Sequence, residues 1–251
     1  MIVLKSPREI ELLREAGRIA RLALDAARSL ARPGVTTGEI DAEVERVIRA
    51  NGATPEFKGY HGFPASSCIS VNDQVVHGIP GARRLKEGDI AGIDVGARIK
   101  GFVGDNAATV AVGRVSAEAQ RLIDTTRECL EQAIAQCRPG RRLSDIGRAV
   151  QTLAESRGYT LVREYAGHGI GTRMHEDPQV PNYVDDATLR RDLVLKEGLC
   201  IAIEPMLNMG AAEVRVLDDD WTVVTLDGSL SAHWEDAVAV TKDGPVVLTR
   251  A

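Results

Sequence analysis

Long apolar runs are missing from this 251-residue chain, and so is any block of like charge. No stretch approaches the ~20 apolar residues of a membrane span, and the opening MIVLKSPREIELLREAGRIARLALDAARSL is too evenly charged for a secretory leader. Both absences point to a soluble, cytoplasmic protein. The formal net charge of −5 offers no basic surface to nucleic acid. Cysteine is scarce too. Cys68, Cys129, Cys137 and Cys200 lack the close pairing of a zinc knuckle and are too few for a disulfide scaffold, so they are expected as reduced thiols, mostly in the core. No linker or second autonomous domain is visible. With 44% hydrophobic residues the chain is long enough to bury a substantial core. Aromatics are few, three Phe, two Trp and four Tyr, so the places where they gather carry weight.

What is present is one phrase written twice. LKEGDIAGID spans 85–94 and LKEGLCIAIE spans 195–204. Each sets a Glu-Gly turn before a short apolar run that stops at a carboxylate, Asp94 or Glu204, which predicts a strand with an acid at its far end. Upstream, RPGVTTGEIDAEVERVIRANGATP at 32–55 parallels RPGRRLSDIGRAVQTLAESRGYTL at 138–161. Both carry apolar residues at helical period, Ile40, Val44, Val47 and Ile48 against Ile146, Val150, Leu153 and Ala154. Tyr60-His61-Gly62 and Gly167-His168-Gly169 extend the echo, each placing a histidine in a glycine-containing loop. The expected architecture is α+β, a single domain over 1–251 with half-repeats at about 32–113 and 138–250. Approximate two-fold symmetry relates the halves, with strands facing a shared centre and helices outside. Residues 116–137 read as a connecting helix. A long N-terminal helix over about 6–31 starts at Ser6, with Pro7 in its first position and Glu9 completing a capping box.

A two-fold arrangement brings the ends of equivalent strands together, so Asp94 and Glu204 should meet near the axis. Two buried carboxylates repel unless one is protonated or positive charge is supplied, and the nearest basic residues, Arg98 and Lys100, read as part of an exposed turn. Asp105, in GFVGDNAATVAVG, and Glu235, in LSAHWEDAVAVT, lie in strand-like stretches where a charge is unexpected, and His168 lies in AGHGIG. Four carboxylates balance two divalent cations, between which a hydroxide can bridge as nucleophile. Oxygen-rich ligation with one histidine favours Mn(II), Fe(II) or Co(II) over a thiolate-type zinc site. Taken singly, each acid also reads as a solvated strand-end carboxylate and His168 as a hydrogen-bonded loop residue. The joint pattern carries the metal reading.

The segments CISVNDQVVHGIP at 68–80, IDVGARIKGFVGDNA at 93–107, GHGIG at 167–171, MHEDPQVPNY at 174–183, IEPM at 203–206 and WTVVTLDGSLSAHWED at 221–236 together resemble the bacterial type I methionine aminopeptidases. The resemblance covers nearly the whole chain. It implies a pita-bread fold, α+β with a central curved antiparallel sheet and outer helices. It also implies removal of the initiator methionine from nascent polypeptides whose second residue is small. Two divalent metal ions (Co, Mn, Fe or Zn) are implied on Asp94, Asp105, His168, Glu204 and Glu235. By the same resemblance His77 and His175 are catalytic histidines that donate hydrogen bonds to the scissile carbonyl, its oxyanion or the leaving nitrogen, and Glu204 doubles as the general base. Tyr60, Phe63, Cys68 and Trp221, with His61 close by, would line an apolar, sulfur-containing pocket suited to a thioether. Nascent peptides are the implied partners and the ribosome a further candidate. A monomer is the default, with neither nucleic acid nor membrane bound.

Several positions depart from the family's pattern. Asn106 stands where Thr or Ser is usual, Met174 where an aromatic is common, and Ala202 where Thr is usual. His233-Trp234-Glu235-Asp236-Ala237 replaces an order of Gln, Tyr or Phe, Glu, His and Thr. These changes are expected to cluster around the site, where residues touching metal ligands alter affinity roughly 10–100-fold. An active but divergent copy is the expectation. Two other functions compete. A prolidase or aminopeptidase P acts on bonds involving proline but generally carries an added N-terminal domain. A non-catalytic binding module of the same fold would have lost the metal ligands, which are intact here.

Overall fold

The computed structural model describes residues 1–250. Helix α1 (Pro7–Leu30) starts at Ser6, whose Oγ accepts from Glu9 N while the Glu9 carboxylate accepts from Ser6 N at 2.8 Å. Helix α2 (Thr37–Ala50) repeats this reciprocal cap with Thr36 and Glu39. Strands β1 (Thr54–Pro55), β2 (Ser67–Val71), β3 (Gln74–Val76), β4 (Ile90–Ile99) and β5 (Phe102–Ala111) follow, then helices α3 (Ala117–Ile134) and α4 (Leu143–Ser156). Next come β6 (Thr160–Leu161), β7 (Gly167–Gly169), β8 (Glu176–Val180), the short helix α5 (Asp186–Arg190) and β9 (Cys200–Ile203). The chain finishes with β10 (Met206–Asn208), β11 (Val214–Val216), β12 (Val223–Thr225), β13 (Ser231–His233), β14 (Glu235–Thr241) and β15 (Gly244–Val247).

The repeated phrase is realised as repeated hydrogen bonding. Gly34 N donates to Leu85 O and Leu85 N to Val35 O; Gly140 N donates to Leu195 O and Leu195 N to Arg141 O, all at 2.7–3.0 Å. Each Arg-Pro-Gly turn therefore docks on the leucine that opens its LKEG phrase, which aims β4 and β9 in equivalent ways. The equivalence breaks at the paired histidines. Tyr60–Gly62 is a 3-10 turn with His61 at φ 46°, whereas Gly167–Gly169 is strand β7, so only one of the two expected loops is a loop. Glycine makes the strand feasible there: a Cβ at 167 would lie 2.3 Å from Ala202 O, and one at 169 would lie 2.2 Å from Asp177 O.

The main sheet is antiparallel and nine-stranded, in the order β1-β4-β5-β14-β9-β7-β8, with β2 on β4 and β15 on β14. Smaller sheets, β13-β10-β6 and β11-β12-β3, complete the strands. Within the main sheet the N-terminal strands meet the C-terminal ones at the β5–β14 pair, Ala107 opposite Glu235 and Asn106 opposite Asp236. Helices α1 and α2 bury Ile19, Leu24, Ile40, Val44 and Ile48 against Ile69, Ile93 and Val95. Helices α3 and α4 do the same with Leu122, Leu130, Ile146 and Val150 against Ile201, Ile203 and Val238. Trp234 packs against both clusters. Helix α1 lies directly on β5, because a Cβ on Gly104 would meet Gly17 N at 2.3 Å. All four cysteines are buried free thiols. Among the described residues, no helix is long and apolar enough to cross a membrane.

Candidate metal centre

Directly opposite residues of an antiparallel pair share a face of the sheet, as do residues i and i+2 along one strand. Asp94 is opposite Ala107, and Ala107 is opposite Glu235. Asp105 stands two residues from Ala107, so Asp94, Asp105 and Glu235 look out from the same side. Asp236 is opposite Ile203, which brings Glu204 level with Glu235, and His168 is opposite Ala202, two residues before Glu204. Cys68, opposite Asp94, joins them. Strand register alone therefore gathers the five expected ligands from four strands and the residue after β9.

They line a pocket of about 270 Å³ that also holds every other residue expected at the site: Tyr60, His61, Phe63, Cys68, His77, His175 and Trp221. Phe57 and Met174 complete the wall. Phe57 is not among the residues expected from sequence. The signal for it is its spacing of three from Tyr60, which leads directly into the 3-10 turn. Phe63 and Trp221 meet edge to face with centroids 5.1 Å apart. Tyr60 Oη lies 2.7 Å from His175 Nδ1, and the His175 ring stands 4.4 Å from that of His168. His77 occupies the left-handed region at φ 59° and packs edge-on to Tyr165. Burial pushes the His77 imidazole down to about 4. Beside His175, Lys5 Nζ and Glu176 Oε2 form a buried pair at 2.6 Å, and Lys5 N donates to Gly198 O.

Among the described residues no lysine or arginine lines this pocket. Arg98 is part of β4 rather than an exposed turn, and its guanidinium is held by Glu56 at 2.5 Å; Lys100 is paired with Glu15. The carboxylates therefore face one another uncompensated. Burial drives Asp94 up to about 7, and burial with mutual repulsion drives Asp105 and Glu235 well above the usual range. Glu204 is raised in the same way, by burial first and then by Asp94. Asp94 Oδ1, Asp105 Oδ1 and Glu235 Oε1 are buried without a hydrogen-bond partner among the described residues.

The set fits divalent metal. His168 Nε2 is 3.6 Å from Glu204 Oε1 and 3.9 Å from Asp105 Oδ2, and donor atoms of Asp105, His168 and Glu235 all lie within 4.8 Å of one another. The two His168 contacts fall inside the roughly 4.4 Å that donors sharing one ion at bonds of about 2.0–2.2 Å can span. His168 Nδ1 lies 3.0 Å from Gly169 O, a contact that commits its proton to that side and leaves the Nε2 lone pair toward the acids.

The departures from the family pattern divide by face: Met174, Ala202, His233 and Ala237 share the side of the expected ligands, and the others do not. Asn106 and Asp236 are opposite each other on the helix side, where Asp236 accepts from Thr249 and Arg250, and Trp234 lies between the two helical clusters. The alternation of a strand accounts for this, because neighbours of Asp105 and Glu235 must point away from them. Met174 and His233 do reach the pocket side: Met174 lines the wall, and His233 Nε2 stands 3.9 Å from Glu204 Oε2.

A floor of carboxylates with no lysine or arginine beside it among the described residues, set in a curled antiparallel sheet, fits a metalloenzyme of pita-bread fold. The chain belongs to metallopeptidase family M24, which matches residues 11–242. It is 47% identical over 250 residues to methionine aminopeptidase 1 of Bacillus subtilis, covering 100% of both chains. It is 49% identical to the methionine aminopeptidase of Clostridium perfringens, covering 99% of each. Its structure superposes on the crystal structure of methionine aminopeptidase from Thermotoga maritima with a TM-score of 0.96 at 42% identity, over 100% of both chains.

Proposed function

We propose that the protein is a methionine aminopeptidase that removes the N-terminal methionine from nascent polypeptides whose second residue is small. The observation that carries this reading is the meeting of four buried carboxylates and His168 on the floor of a pocket walled by Phe57, Phe63, Cys68, Met174 and Trp221. Its volume of about 270 Å³ lies just below the roughly 300–1,000 Å³ typical of ligand pockets, and suits one flexible apolar side chain. Aromatic edges and a thiol match a thioether by dispersion and sulfur–aromatic contact.

Asp94, Asp105, His168, Glu204 and Glu235 would hold two divalent ions, with Co, Mn, Fe and Zn the candidates. When bound, such ions polarise a carbonyl and lower the pKa of water toward about 7. The chain's own groups do the rest. Glu204 takes the proton of the attacking water and delivers it to the leaving amine. His175, steadied by Tyr60, donates to the developing oxyanion, and His77 donates to the departing nitrogen. The free α-amino group of the substrate would be held on the Asp94 side of the centre, as a lone-pair donor to the ion bound there, which restricts cleavage to the first peptide bond. We read the protein as a cytoplasmic monomer, with the ribosome a candidate partner.

The test is methionine release from a Met-Ala-Ser peptide by chelator-stripped protein, before and after addition of Mn(II), Co(II) or, anaerobically, Fe(II). Release restored by an ion, with an Ala-Pro peptide left intact, is the expected result. Cleavage of Ala-Pro alone would assign the site to proline substrates instead.

A further inference from the structure

We infer that His233 supplies a second imidazole donor to the metal centre, on the side shared by Glu204 and Glu235. The inference rests on the metal-binding reading above. His233 ends β13, is only 3% exposed, and is fixed through its backbone: His233 N donates to Thr109 Oγ1, and Thr109 Oγ1 donates to His233 O, each at 2.9 Å. The backbone that carries the ring is thereby fixed beside the site. Its Nε2 has no hydrogen-bond partner among the described residues.

Distance separates the two uses such a nitrogen can have. His233 Nε2 is 3.9 Å from Glu204 Oε2 and 4.0 Å from Glu235 Oε2. A hydrogen bond to a carboxylate needs about 2.7–3.2 Å, so both contacts are too long for one. Donors bound to a common ion at about 2.0–2.2 Å stand roughly 3–4.4 Å apart, which these contacts satisfy. His168 meets the acids in the same manner, 3.6 Å from Glu204 Oε1 and 3.9 Å from Asp105 Oδ2. Each oxygen of Glu204 thus faces its own imidazole. The glutamine usual at position 233 offers an amide oxygen where this chain offers nitrogen. Added imidazole favours Co(II), Zn(II) or Fe(II) over Mn(II), which prefers oxygen.

The experiment loads chelator-stripped protein with Co(II) and reads its paramagnetic proton spectrum, in which the ring N–H of a ligated histidine is a strongly shifted, solvent-exchangeable signal. Two such signals are expected from the unaltered protein, one from His233→Gln, and one, at the other position, from His168→Gln. Isothermal titration of His233→Gln should show one Co(II) ion bound at least about tenfold more weakly, with Mn(II) less affected. A single exchangeable signal from the unaltered protein, or two that persist in His233→Gln, overturns the inference while leaving the metallopeptidase reading intact. Failure to bind any Co(II) would instead overturn that reading. Should either variant not fold, a single signal from the unaltered protein still overturns the inference, and the second signal is assigned by its nuclear Overhauser contacts to Thr109.

Discussion

Glu204 is the residue on which the site turns. It follows the last residue of β9, its two oxygens face two different imidazoles, and in the proposed reaction it both holds metal and moves a proton. Replacing it by Gln keeps the shape, removes the base and weakens a metal ligand, so the comparison is made at saturating metal. Glu204→Gln should lower kcat for Met-Ala-Ser by about 10²–10⁴, measured by steady-state methionine release at saturating metal. His175 is a separate matter. Removing an oxyanion donor costs about 10²–10³ in kcat, which is the loss expected of His175→Ala. If Tyr60 works only by orienting that ring, Tyr60→Phe should lose less, and the double variant should lose no more than His175→Ala alone in a double-mutant cycle. At this scale much of the site is legible in the sequence, because an acid inside an apolar β-branched run is anomalous wherever it falls. What stays hidden is direction. Asp105 and Asn106 are adjacent letters, yet one looks into the pocket and the other toward the helices, and only the pairing partners settle which.

Among the elements, the segment before α1 ties the pocket rim in place. Lys5 reaches Glu176 while its backbone bonds Gly198, so the stretch carrying Met174 and His175 is pinned from outside the sheet. Lys5→Met strands a buried carboxylate and should cost about 3–5 kcal/mol in thermal or denaturant unfolding. The pair Lys5→Met with Glu176→Gln should recover part of that loss. Helices α1 to α4 can be read in the sequence from period and caps, and β4 and β9 from the doubled phrase. The Tyr60 and Gly167 echoes mislead, because identical neighbours were put to different uses: a rim turn in one half, and in the other a strand whose flanking carbonyls leave no room for a Cβ. The contact between β5 and β14 is equally silent in the sequence, being a pairing between residues far apart along the chain.

For the molecule as a whole, the centre couples metal to stability. Carboxyls raised on folding bind more protons in the native state than in the unfolded one, so without metal they lose stability as pH rises toward their native values, about 7 for Asp94. The buried histidines, depressed to about 4 at His77 and His168, act in the opposite sense, but only below the free value near 6.5. Between about pH 6.5 and 8 the raised carboxyls outweigh the histidines, whose effect fades above the free value. The Tm of chelator-stripped protein should therefore fall across that range, while metal-loaded protein stays nearly flat and the gap between them widens. Equal Tm values for the two forms at every pH would contradict the coupling. The topology carries a consequence for biosynthesis. Strand β14 sits in the middle of the sheet between β5 and β9, yet it comes after both of them in the chain. A polypeptide emerging from its N-terminus first has made β4, β5, β7, β8 and β9 before the piece that joins the two sides of the sheet and brings Glu235 to its partners. The centre therefore waits on β14: until Glu235 has been made, Asp94, Asp105, His168 and Glu204 stand without their fifth partner.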